Sequence, residues 1–138
     1  MTIDPRTPVL VGVGAVSRRD ADPTTAPEAA ELMASAAQVA ADDAGTTALL
    51  AALDRVAVPE GTWGYRDAGR LVADRLRATG ATTVLAEVGV TQQELIAETC
   101  AHLAAGDLEV ALVVGGETRH RAVTAKAAGV EVGEAVQG

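Results

Sequence analysis

The stretch that decides the fold is Val84–Thr118, which reads VLAEVGVTQQELIAETCAHLAAGDLEVALVVGGET. Its apolar start ends at Gly89, and Thr91 and Glu94 then have the S/T-x-x-E spacing of a capping box, which predicts the start of a helix. Gly106 predicts the end of that helix, and a second apolar run follows it. A helix N-terminus at the carboxyl end of a parallel strand is where open α/β sheets place nucleophiles and anions. The turn itself contains no Cys or Ser.

The same alternation of predicted strands and helices extends through the rest of the chain. Near-continuous apolar runs predict parallel strands covered on both faces, at Val9–Val13, Val56–Val58, Val84–Val88 and Val110–Val114. Helices are predicted between them at Pro27–Ala44, Ala68–Ala78 and Thr91–Ala105, with a short turn at Leu49–Leu53. The order βαβαβαβ predicts an α/β fold with a mostly parallel sheet flanked by helices. Residues 119–138 show no clear strand or helix pattern, so we expect an irregular tail that begins a further region or is ordered by a partner.

Composition narrows the classes of partner. The 138 residues suffice for one domain, and they include one Trp, one Tyr and no Phe, so nucleotide bases would find few rings to stack on. Nineteen acidic against eleven basic residues give a net charge of −8, which repels nucleic acid and anionic membranes. The single cysteine and the lack of a signal-peptide pattern predict a cytoplasmic protein. We therefore expect neither a nucleic acid nor a membrane as partner.

Two glycines near the start of the chain raise the possibility of a dinucleotide site. Gly12 and Gly14 follow the first apolar run, but the fingerprint requires a third Gly or Ala where Ser17 stands. A helix should also begin at once, whereas the predicted helix waits until Pro27. A strand-to-loop turn is the favoured interpretation, and a small nucleotide binder that uses the two glycines stays as an alternative.

The reactive side chains have structural explanations. Cys100 shares a helix face with Ile96 and Leu103, which predicts a small buried hydrophobe far from the helix end that would activate a thiol. His102 follows Glu98 by one turn and is predicted to form a surface pair. His120 lies between two arginines and could contact a phosphate, although an exposed loop charge is the favoured explanation. No group of His, Cys and carboxylates has metal-ligand spacing.

The two aromatic residues share one glycine-flanked loop. Trp63 and Tyr65 lie between Gly61 and Arg66, in a chain that has no other aromatic side chain. Such side chains are favoured at interfaces, where an apolar ring and a polar tip are both useful. Packing of the loop onto its own domain is the alternative, and the sequence does not choose between the two.

Three passages carry a resemblance to a known family. The passage AGDLEVALVVGGET at Ala105–Thr118 resembles one that follows the third helix of the thiolase superfamily. RTPVLVGVG at Arg6–Gly14 resembles its opening strand, and Ala68-Gly69-Arg70 resembles the start of the helix before the active-site strand. Together they cover about residues 6–118 and imply the N-terminal half of a thiolase, in the sterol-carrier-type and acetyl-CoA acetyltransferase-like branch. The resemblance thus implies a half-domain at residues 1–118, followed by the tail.

The resemblance also implies a site and partners. In thiolases the nucleophilic Cys lies at the N-terminus of the third helix, and counting back from Gly106 places that position at Gly89. Val90 and Thr91 follow it, so these three residues are the candidate binding residues for acyl-CoA, with no catalytic residue among them. The family's second half supplies the catalytic His residues and a second Cys, so we expect a chain without thiolase chemistry of its own.

A lone half would expose an apolar face, and the resemblance therefore implies a homodimer or a complex with a C-terminal thiolase-like half. A role in lipid metabolism as an acyltransferase relative is the implied context. A non-catalytic interaction or scaffold subunit is the alternative from a different class.

Overall fold

The computed structural model describes residues 2–138 and has an α/β fold built on a short parallel sheet. Three strands form it, β1 (Arg55–Pro59), β2 (Thr82–Ala86) and β3 (Ala111–Val113), in the order β2-β1-β3. Both pairings are parallel, with Val56 level with Thr83 on one side and with Leu112 on the other. The fold class predicted from the sequence is confirmed.

Within residues 2–138 five helices accompany the sheet: α1 (Ala29–Ala44), α2 (Ala48–Ala51), α3 (Ala68–Arg75), α4 (Gln92–Ala105) and α5 (Arg119–Ala128). Helices α1 and α4 end at Gly45 and Gly106, each in the left-handed region with φ of +87° and +81°, as the glycine signals predict. None of the helices within residues 2–138 is long and apolar enough to cross a membrane.

The core lies mainly on one face of the sheet. Helices α1 and α3 cover Val56 and Val58 of β1, and α1 is rich in alanine, so it packs closely. The opposite face is covered by α4 alone, through Leu95 against Ala57 and Ala86. The two faces of the sheet therefore differ in how completely helices cover them, and the side of α4 that faces away from the sheet is largely exposed.

The predicted first strand is wrong. Residues 9–13 have no regular secondary structure and pair with no strand among the described residues, and Val9, Leu10, Val11 and Val13 are 57 to 83% exposed. The outer edges of β2 and β3 stay unpaired within residues 2–138, but the Val13 N–H donates a hydrogen bond to the Asp43 carboxylate of α1 at 2.9 Å. The segment packs instead beside α1, where Gly12 and Gly14 lie so close to the carbonyls of Ala40 and Ala36 that a Cβ would overlap them. The two glycines thus serve backbone packing.

The expected irregular tail is also corrected in its first half. Residues Arg119–Ala128 form α5, which ends at Gly129 with φ of +69°. Its sequence is basic and alanine-rich and has no side chain that caps its start, so the usual sequence signal for a helix start is missing. Beyond Gly129 the chain returns to the body, where Gln137 bonds both the backbone N–H and the carbonyl of Asp67, at 2.9 and 2.7 Å.

Candidate functional site

The start of α4 has the geometry that the capping signal predicts. The Thr91 hydroxyl accepts a hydrogen bond from the Glu94 backbone N–H at 3.1 Å, and the Glu94 carboxylate accepts one from the Thr91 N–H at 3.0 Å. Gly89 precedes this cap with φ of +106°, a conformation that glycine adopts without strain. A Cβ at Gly89 would meet nothing within 4 Å, so the turn is open on that side.

Carboxylates surround this turn. Glu60, which follows β1, accepts a hydrogen bond from Val88 N–H at 3.2 Å and donates its own N–H to Ala86 at 2.8 Å. Glu87 and Glu94 lie beside it on the exposed surface. This acidic setting disfavours phosphate groups, whereas the N–H groups of a helix N-terminus can still polarise an uncharged carbonyl.

The turn has no nucleophile. Residues 87–92 include no Cys, Ser or His, and the one hydroxyl, that of Thr91, accepts the capping hydrogen bond. Cys100 lies more than two turns further along α4 and is half-buried. The arrangement can bind a carbonyl group, but it offers no side chain that could form a covalent acyl intermediate.

The passage after β3 joins the sheet to the aromatic loop. Glu117 accepts hydrogen bonds from the backbone N–H and the hydroxyl of Thr62, at 2.8 and 2.6 Å. A Cβ at Gly116 would lie 3.2 Å from Met33, so this passage also packs closely against α1. Sequence reasoning missed the pairing of Thr62 with Glu117, because 55 residues separate them and neither residue type signals the other.

Trp63 and Tyr65 pack onto their own domain. They are 7% and 6% exposed, their ring centroids are 5.1 Å apart, and the Trp63 indole N–H donates to the Gly116 carbonyl at 2.9 Å. The Tyr65 hydroxyl donates to Glu28 at 2.9 Å and accepts from the Ala30 N–H at 3.2 Å. Of the two interpretations that the sequence left open, an interface or packing within the domain, the structure shows packing within the domain.

Burial raises the pKa of Tyr65 to about 12, and the neighbouring Glu28 carboxylate adds to this rise. An unfolded chain ionises Tyr at a pKa of about 10. The folded state thus favours the neutral phenol, and this contribution to stability is complete below pH 10 and is lost as the pH rises through 12.

We expect the free energy of unfolding to fall between pH 10 and pH 12, and Tyr65→Phe to remove the part of that fall due to Tyr65. Because Tyr65 is the only tyrosine, its ionisation can be followed directly by ultraviolet absorbance. An identical pH slope in Tyr65→Phe, or titration of the phenol at its ordinary pKa, would contradict this assignment.

The buried face of helix α4 differs from the one that the sequence predicts. Its buried residues are Leu95 and Thr99, whereas Ile96 is 45% exposed, so the predicted buried face of Ile96 and Cys100 is wrong. The reason is that α4 has contacts with the sheet on one side alone. The predicted pair of His102 with Glu98 is confirmed at 3.6 Å, and Asp107 lies 3.0 Å from the other ring nitrogen.

The remaining candidates do not join the α4 turn. His120 lies in the first turn of α5, exposed, between Arg119 and Arg121 as the sequence has them. Within residues 2–138 there is no group of three or more His, Cys, Asp or Glu side chains that could hold a metal ion.

The parallel sheet, the capped helix after β2 and the Gly-Gly-Glu passage after β3 together define a thiolase-like fold. No protein-family model matches the chain. No curated protein matches it either.

A solved structure supports this classification. The chain is 32% identical to a monomeric SCP2-thiolase like protein type 1 (STLP1) from Mycobacterium smegmatis, with a TM-score of 0.67. The similarity covers 85% of this chain and 24% of that protein. The chain thus spans about a quarter of that protein's length. The word monomeric in its description refers to that protein.

Proposed function

We propose that this chain is one half or a fragment of a thiolase-like protein, and that it binds acyl-CoA at the start of α4 without performing thiolase transfer by itself. The observation that carries the proposal is the open turn at Gly89, which presents a capped helix N-terminus and no thiol. We place it in the sterol-carrier-type, acetyl-CoA acetyltransferase-like branch, in cytoplasmic lipid metabolism.

The chemistry of the turn supports a carbonyl as the bound group. The thioester carbonyl is uncharged, so it suits an N-terminus whose neighbours Glu60, Glu87 and Glu94 are acidic. The same carboxylates indicate that the phosphates of CoA would lie away from the turn. Without a nucleophile, the interaction would bind and orient a thioester but would not cleave it.

The outer face of α4 supports the proposed partner. Ile96, Ala97 and Ala101 are exposed along this face and Cys100 is half-buried, which leaves an apolar strip of small side chains. Such a strip allows close approach of a second helix. We propose that a second copy of the chain or a C-terminal thiolase-like half covers it.

Two substitutions at Gln92, the first residue of α4, test acyl-CoA binding. Pro at this position keeps the helix but removes one free N–H, and the extended conformation of Thr91 is compatible with a following Pro. We expect Gln92→Pro to weaken acetyl-CoA binding about fivefold, the effect of losing one hydrogen bond of about 1 kcal/mol. Gln92→Ala keeps the N–H and is the matched control, expected to bind within twofold of the unchanged chain.

The measurement is calorimetric titration with acetyl-CoA, on the protein purified from its own cells together with any bound partner. Undetectable binding, or an equal loss in both variants, would contradict the proposed function. A native mass above that of one chain combined with no acetyl-CoA binding would support the second candidate, a non-catalytic scaffold subunit. That candidate is favoured by the missing nucleophile at Gly89.

A further inference from the structure

Residues 130–138, which follow α5 and are named the returning segment, contact the body of the protein without forming a helix or strand. Exposure alternates along their second half. Ala135 and Gln137 are half-buried, whereas Glu134 is exposed and Val136 is 95% exposed. Side chains alternate in this way when a chain runs extended along a surface. Ala135 packs against the main hydrophobic core, so the segment lies on the body as a bound peptide would.

Two side chains of the returning segment bind backbone groups of the body. The Glu134 carboxylate accepts a hydrogen bond from the Gly64 N–H at 2.8 Å. The Gln137 amide accepts one from the Asp67 N–H at 2.9 Å and donates one to the Asp67 carbonyl at 2.7 Å. Among the described residues, no backbone–backbone hydrogen bond joins residues 131–138 to the rest of the chain. Because these contacts depend on side chains, the surface selects a sequence and does not accept every extended chain.

A nearly buried carboxylate of the body provides the third contact. The Glu28 side chain is 13% exposed, and its Oε1 accepts a hydrogen bond from the Ala135 N–H at 3.1 Å. The same oxygen accepts one from the Tyr65 hydroxyl at 2.9 Å and lies 3.9 Å from a guanidinium nitrogen of Arg75. Tyr65 and Arg75 belong to the body, so they hold this carboxylate in place for a peptide. The surface formed by Glu28, Gly64 and Asp67 is named the recognition groove.

The second half of the returning segment can leave the recognition groove without unfolding α5. Arg121 of α5 donates a hydrogen bond to the Gly133 carbonyl at 2.9 Å, which ties the first half of the segment to that helix. An open cleft of about 610 Å³ is lined by Val136, Gln137 and part of α3, so the second half is not packed on all sides. Segments with few buried contacts open locally at a low cost in free energy.

We propose that the recognition groove is a peptide-binding site, which the returning segment occupies as a ligand from the same chain. The partner is a segment of another polypeptide in which a glutamate is followed by a small residue and, two positions later, by a glutamine. Such a segment repeats the contacts of Glu134, Ala135 and Gln137 and displaces them. A ligand on a short linker competes at an effective concentration of about millimolar, so the returning segment acts as a built-in inhibitor.

The test uses a dye-labelled peptide with the sequence of residues 130–138 and the full chain carrying both Glu134→Ala and Gln137→Ala. These substitutions loosen the returning segment and leave the recognition groove unchanged. Fluorescence anisotropy measures peptide binding. We expect the double variant to bind the peptide at least tenfold more tightly than the unchanged chain, because its own segment competes less. Equal binding by the two chains, or no binding by the double variant, would overturn the proposal.

Substitutions in the peptide test the recognition itself. Gln137→Ala in the peptide should weaken binding to the double variant at least tenfold, because two hydrogen bonds are lost. Val136→Ala in the peptide is the matched control and should change binding less than twofold, since Val136 points away from the body. Equal effects of the two substitutions would contradict the assigned contacts.

Amide hydrogen exchange locates the binding site. We expect slow exchange at the N–H groups of Gly64 and Asp67 in the unchanged chain, at least tenfold faster exchange in the double variant, and slow exchange again when the peptide is added. Fast exchange at both groups in the unchanged chain, or a bound peptide that leaves them fast, would overturn the proposal. The proposal is independent of acyl-CoA binding at Gly89.

Discussion

Trp63→Ala is expected to lower the free energy of unfolding by about 3–5 kcal/mol, the usual cost of removing a buried large aromatic side chain. Trp63 is 7% exposed, packs against Tyr65 and joins the main core between α1 and α3. The substitution also leaves the Gly116 carbonyl without its indole donor. Urea denaturation followed by far-ultraviolet circular dichroism measures the change, because the only tryptophan is lost.

Trp63→Phe separates the contribution of ring burial from that of the indole hydrogen bond, because it keeps an aromatic ring and loses the N–H. We expect it to be less destabilising than Trp63→Ala. Val136→Ala is the surface control, because Val136 is 95% exposed, and it should change stability by less than about 0.5 kcal/mol. A Trp63→Ala chain of unchanged stability but altered association would return Trp63 to the interface role that the sequence left open.

Leu95→Ala is expected to lower the free energy of unfolding by about 2–5 kcal/mol, because among the described residues Leu95 is the one fully buried large side chain on the α4 side of the sheet. It packs against Ala57 and Ala86, and these small residues cannot fill the space that it would leave. Thermal and urea denaturation of the full chain measure the loss.

Ile96→Ala is the matched control in the same helix. Ile96 is 45% exposed, so we expect a loss below about 1 kcal/mol in the separate chain. If α4 is covered by a partner, as proposed, Ile96→Ala weakens the complex while the separate chain keeps its stability. An Ile96→Ala chain as unstable as Leu95→Ala would mean that the two faces of α4 are assigned the wrong way round.

The elements that local rules specify were predictable from the sequence. Helix α4 has a capping box at Thr91 and Glu94 and a glycine at its end, and both signals act within one helical turn. Strand β1 is a continuous apolar run, so its burial on both faces follows from composition. The same rules identified Gly89, because the turn that leads into the cap is local as well.

The elements that were predicted wrongly depend on distant neighbours. Residues 9–13 have the composition of a strand, but their close contacts are with α1, through Gly12, Gly14 and the Val13 N–H, and not with a strand. The buried face of α4 could not be read from Ile96 and Cys100, because burial depends on which side of the helix meets the sheet. Helix α5 has no capping side chain at its start, so the local sequence does not mark where it begins.

By itself, the sequence determined the α/β class, the capped start of α4, and the lack of a Cys, Ser or His side chain in residues 87–92, because these follow from periodicity, local hydrogen bonding and residue identity. The tertiary structure alone decided that Trp63 and Tyr65 are buried, that Glu117 binds Thr62, and that Gln137 binds Asp67. Each of these joins residues at least 35 positions apart. Contacts over such distances depend on how the helices pack on the sheet, and no local pattern encodes that packing.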